Sequence, residues 1–99
     1  MSQITLINNR WQLTGDVVVG SAKAILTTSQ DFVISNDTII DFAQVADIDT
    51  TALSLILEWK RRAQIENKTL RFINLPANLS SLAAVYGVEE MISWLSFKQ

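Results

Sequence analysis

Two short β-branched runs, Thr38-Ile39-Ile40-Asp41-Phe42 and Thr69-Leu70-Arg71-Phe72-Ile73, enclose a helical pattern over residues 50–66. A strand, a helix and a strand in that order fold most simply with the helix crossing over between parallel strands, and such crossovers are right-handed. The same alternation extends in both directions. Upstream, Gln3-Ile4-Thr5-Leu6-Ile7 and Arg10-Trp11-Gln12-Leu13-Thr14 each alternate polar and apolar residues around Asn8-Asn9, which predicts an antiparallel hairpin closed by Gly15-Asp16. Residues 20–35 fit a helix loosely through Ala22, Ala24, Ile25, Val33 and Ile34, with Thr27, Thr28 and Ser29 lowering the propensity. The stretch 44–49 reads as a loop, and Asn67 as the stop of the long helix. Pro76 opens a further helix with Leu79, Leu82, Ala83 and Tyr86 on one face and Gly87 as its cap, and residues 89–97 form a short last helix. The order ββαβαβαα predicts one α/β domain over residues 1–99, a mixed β-sheet with helices connecting parallel strands.

Length and composition suit that reading. A chain of 99 residues has the usual single-core size, and 48% apolar against 18% charged residues is ample core material. Histidine and cysteine are absent, which excludes Ser/His and Cys/His nucleophilic sites, the usual zinc sites, thiol redox chemistry and disulfides. No run approaches a membrane span and the first residues lack a signal-peptide pattern, so the expected location is cytoplasmic, without direct membrane insertion. Charge is divided unevenly. Residues 1–50 set Arg10 and Lys23 against six aspartates, whereas residues 51–99 set six bases against four glutamates. Neither half is basic enough for a nucleic-acid footprint.

The chemistry-bearing segment runs Ile39-Ile40-Asp41-Phe42-Ala43-Gln44-Val45-Ala46-Asp47-Ile48-Asp49-Thr50-Thr51-Ala52-Leu53. Two threonines open the long helix, where unpaired N–H groups and the positive dipole end allow a hydroxyl to cap the helix, accept a phosphoryl group or meet a polar partner. Asp49 or Thr50 as a plain N-cap is the competing reading, although no Glu or Gln follows at capping-box spacing. At 100° per residue, Ala52, Leu55, Ile56, Trp59 and Ala63 form the core arc. Thr50, Ser54, Glu58, Arg61 and Arg62 gather opposite, with Leu53 and Leu57 on the flank, either edging a partner interface or packed under neighbouring loops. Lys60, Arg61 and Arg62 read as solvated charges favoured by the helix dipole. Asp41, Asp47 and Asp49 have the residue type for magnesium but lack the acidic pair and lysine of a receiver domain, and the three glycines form no phosphate loop. No metal, cofactor or catalytic residue is expected.

Taken in order, Leu13-Thr14-Gly15-Asp16-Val17, then Ile40-Asp41-Phe42 with Val45, Asp47-Ile48 and Asp49-Thr50-Thr51-Ala52-Leu53, resemble the strand, loop and helix start of STAS domains. That family is named for sulphate transporters and anti-sigma factor antagonists, and the likeness extends to Tyr86-Gly87-Val88. The resemblance implies the STAS fold, a non-enzymatic role, and Thr50 as the regulatory hydroxyl that a kinase phosphorylates in the antagonists. A short chain with Thr at that position is most similar to the STAS subunits of Mla phospholipid-transport ABC complexes. This implies docking on the ATPase subunit of a membrane complex with a permease, in support of outer-membrane lipid asymmetry. The alternative partner is an anti-sigma factor kinase. The implied interface comprises Asp49, Thr50, Thr51, Leu53, Ser54, Leu57, Glu58 and Arg61. Ala52 stands where the motif ends in glycine, which disfavours a close backbone approach by a kinase and leaves room for a packing interface.

Overall fold

The computed structural model describes residues 2–85. Strands β1 (Gln3–Ile7) and β2 (Arg10–Val17) pair antiparallel in unbroken register from Gln3↔Thr14 to Ile7↔Arg10. Asn8 makes the turn with φ 57°, in the left-handed region that asparagine tolerates. Asn9 fixes the hairpin to the rest of the chain: its side chain donates to the Asp37 carbonyl at 2.6 Å and its carbonyl accepts the Ile39 N–H at 3.0 Å.

Helix α1 (Val19–Ser29), strand β3 (Ile39–Ile48), helix α2 (Thr51–Ile65), strand β4 (Arg71–Ile73) and helix α3 (Ala77–Val85) follow. The sheet order is β1-β2-β3-β4, with β2, β3 and β4 mutually parallel. Both crossovers advance in the same direction across the sheet, so right-handedness places α1 and α2 on one face. That face carries Ile4, Trp11, Leu13, Val17, Ile40 and Phe72, all buried, against Ile25 of α1 and the buried side of α2. Trp11 lies at its centre. Its ring meets Phe32 and Trp59 edge-on, with centroids 5.3 and 5.9 Å away, a favoured aromatic geometry.

The structure corrects four expectations. Gly15-Asp16 ends the hairpin, whose pairing stops at Gln3↔Thr14, but it does not end the strand: β2 continues beside β3 to Val17, with Gly15 at φ 79° where an L side chain would be strained. Residues 44–48 are strand, not loop. The Gln12↔Asp41 to Thr14↔Gln44 and Gly15↔Val45 to Asp16↔Asp47 steps each give β3 one extra residue, and these irregularities break the alternation by which a strand is recognised. Helix α1 stops at Ser29 instead of reaching residue 35. There the Ser29 hydroxyl donates to the Leu26 carbonyl at 2.8 Å, and Arg62 takes the carbonyls of Ser29 and Phe32. Arg62 is therefore no solvated charge: its guanidinium sits 5.8 Å from the Trp11 ring centroid and ties α2 to the end of α1.

The long helix follows the expected wheel, with Ala52, Leu55, Ile56, Trp59 and Ala63 all buried and Asn67 beyond its end at φ 57°. The buried Trp59 indole N–H donates to the Ser29 hydroxyl at 2.9 Å. Pro76 precedes α3, accepting the Leu79 N–H at 3.0 Å. Tyr86, the Gly87 cap and the last helix of residues 89–97 lie outside the described residues. Among the described residues no helix is long and apolar enough to cross a membrane.

Candidate functional site

Parallel strands β2 and β3 end side by side, at Val17 and Ile48, and each leads into a helix. The starts of α1 and α2 therefore converge at the carboxyl edge of the sheet, the edge where ligands and partners of open α/β sheets commonly bind. Two sets of unpaired N–H groups and two positive dipole ends meet there. Asp49 stands between them. One carboxylate oxygen accepts the Val19 N–H of α1 at 2.9 Å, and the other accepts the Thr51 N–H at 2.9 Å and the Thr51 hydroxyl at 2.5 Å. The Thr51 hydroxyl, followed by the Val19 amide, holds the Asp49 pKa below the usual carboxylate value.

This geometry decides between the two candidate caps. Thr50 has φ −63° and ψ −19°, already helical, and its side chain makes no capping hydrogen bond. A capping side chain acts from an extended or turn backbone that precedes the helix, and Asp49 fills that role. Thr50 is half-buried and its hydroxyl bonds to no described residue.

The other sequence-derived site residues divide. Leu53 is only 5% exposed and belongs to the core cluster, so it edges no open face. The wheel set it one step outside the core arc, and the packed core reaches that far around the helix. Leu57 is half-buried and Ser54 exposed, and with Glu58, Lys60, Arg61 and Gln64 they line a depression along α2. Glu58 and Arg61 form a two-point ion pair at 2.5 and 3.0 Å, which lowers the Glu58 pKa. Arg61 follows Ser54 and Glu58 along the helix, so Thr50, Ser54, Glu58 and Arg61 make one polar stripe.

Sequence reasoning missed the second wall. Ala22, Lys23 and Leu26 of α1 face Thr51, Ser54, Leu55 and Glu58 across a trough of ≈ 400 Å³. The loose apolar spacing of α1 was the available signal: Ala22 and Leu26 are four residues apart, as one helical face requires. Asp41 and Asp47, by contrast, are not drawn to Asp49. Asp41 is buried and accepts the Ala43 N–H, the Asn74 amide and Arg10, while Asp47 accepts the Ile48 N–H.

The order of strands and helices and the Asp49-Thr50-Thr51 helix start fit one known domain type, and the family model described as "Mlab, STAS domain" matches residues 3–93. The chain belongs to the STAS domain family. STAS domains generally bind or regulate and do not catalyse. A solved structure described as "Crystal Structure Analysis of Mglu" is similar to this STAS domain, with 26% identity and a TM-score of 0.56 over 71% of the chain. The STAS chain covers 18% of that protein, so the likeness concerns one part of a much longer molecule. No curated protein matches the sequence.

Proposed function

We propose that this STAS domain is a non-catalytic subunit that docks on the ATPase subunit of a Mla-type phospholipid ABC transporter, in a membrane complex with a permease that maintains outer-membrane lipid asymmetry. The observation that carries the reading is the Thr50 hydroxyl at the head of α2, half-buried and bonded to no described residue because Asp49 does the capping. Thr51, Ser54, Leu57, Glu58 and Arg61 continue the docking face along the helix, offering apolar contact at Leu57 and polar groups that fix register. The description of the matching family supports the transporter setting. The partner holds the domain at the cytoplasmic side of the inner membrane. Co-expression with the ATPase subunit tests the proposal: a stable complex that survives affinity purification is expected, and separate elution overturns it.

The same hydroxyl supports a second reading, an anti-sigma factor antagonist. A phosphate on Thr50 sits where the α2 dipole favours negative charge. Under that reading a cognate kinase with radiolabelled ATP labels the native chain and leaves Thr50→Ala unlabelled.

A further inference from the structure

Strand β1 is the outer strand of the four-stranded sheet among the described residues, paired with β2 on one side only. Edge strands are usually guarded by charges, proline, bulges or a covering element, because their free N–H and C=O groups template further pairing. Gln3-Ile4-Thr5-Leu6-Ile7 has no charge and no proline, and its pairing with β2 shows no bulge. It also exposes apolar surface: Leu6 is 44% and Ile7 54% exposed.

Leu6 shares its face with Ile4, since their partners on β2 are Trp11 and Leu13, both in the core. Ile4 is buried, and beside it lies a depression of ≈ 270 Å³ between β1 and α1, walled by Ala24, Ile25 and Thr28. The fold thus leaves an apolar side chain protruding at one end of β1 and a depression open at the other. An antiparallel two-fold about Thr5 brings these ends together. It pairs all five residues, sets each Leu6 opposite the partner's Ile4 at the mouth of that depression, and sets each Ile7 opposite the partner's Gln3. No charge faces a like charge within the strand pair.

We propose that β1 is a self-association seam, on which a second copy of this chain adds its own β1 antiparallel so that the two sheets become one. The self-complementary pattern of the strand selects a second copy over a foreign strand: one sequence supplies both the protruding leucine and the site that receives it, as a two-fold interface requires. A seam of five residues is small, so the dimer is weak and concentration-dependent. It leaves the head of α2 unengaged and stands independently of the partner assigned there.

Sedimentation velocity over a wide concentration range, combined with cysteine cross-linking, tests this. The native chain contains no cysteine, so one introduced thiol reports one position. Opposed residues of an antiparallel pair lie about 4.5–5.5 Å apart at Cα, within disulfide reach. Thr5→Cys is expected to form a disulfide-linked dimer on mild oxidation, and Gln12→Cys, one strand further in on the same sheet face, is expected to remain monomeric. Thr5→Asp places like charges across the axis and should shift the native dimer to monomer with an unchanged circular dichroism spectrum. A monomer at every concentration, equal cross-linking from both positions, or a dimer indifferent to Thr5→Asp overturns the proposal. So does a chain that stays monomeric and pairs only with an added peptide of unrelated sequence.

Discussion

The Asp49 carboxylate accepts the Val19 N–H at 2.9 Å, a bond that joins the start of α2 to the start of α1 across thirty positions of sequence. Because the same carboxylate also holds Thr51, one side chain caps both helices that build the candidate site. Asp49→Ala removes a cap of the kind worth about 0.5–2 kcal/mol and frees the α1 end as well, so the upper part of that range is expected. Urea unfolding of the two proteins measures it.

The pH dependence follows from the same residue. The folded-state pKa of Asp49 lies below its model-compound value of 3.8, so its contribution is fully present above that value and is lost as pH falls through the folded pKa. Unfolding curves from neutral pH downward should show wild type losing stability below about pH 4 more steeply than Asp49→Asn, which cannot titrate. Parallel curves would mean that the carboxylate charge contributes nothing to the fold.

Thr50 and Thr51 should behave oppositely despite their adjacency. Thr50→Ala removes no hydrogen bond to a described residue and places the best helix former in the first turn, so stability should stay within about 0.5 kcal/mol. Thr51→Ala breaks the hydroxyl bond to Asp49 and should cost about 1 kcal/mol or more. Thermal melts of the pair distinguish them.

Core changes give larger effects. Ile56→Ala should destabilise by roughly 2–5 kcal/mol, and Leu53→Ala should fall in the same range now that Leu53 belongs to the core. Ser29→Ala leaves the buried Trp59 N–H without its acceptor, at a cost of about 1–3 kcal/mol. Equilibrium unfolding reads all three.

Much of this architecture was legible because it rests on periodicity. The apolar residues of α2 recur at helical spacing and the hairpin alternates cleanly, so both follow from the order of residues. What was not legible depends on contacts distant in sequence. Arg62 looks like any surface arginine until the end of α1 arrives beneath it, and residues 44–48 lose their strand signature to two extra residues in the pairing with β2. The choice between Asp49 and Thr50 as cap turned on one backbone conformation, which two adjacent polar residues do not reveal.

Thr50, whose hydroxyl bonds to no described residue, is the position through which the proposed partner is expected to dock. The most direct measurement is the affinity of the ATPase subunit for the native chain and for Thr50→Glu, with thermal melts of both. The longer charged side chain should be tolerated at the helix start, leaving the melting temperature nearly unchanged, while in a packed interface it displaces groups and gives up hydration, so binding should weaken by tenfold or more, the equivalent of about 1.4 kcal/mol. Equal affinities for the two proteins would contradict the claim.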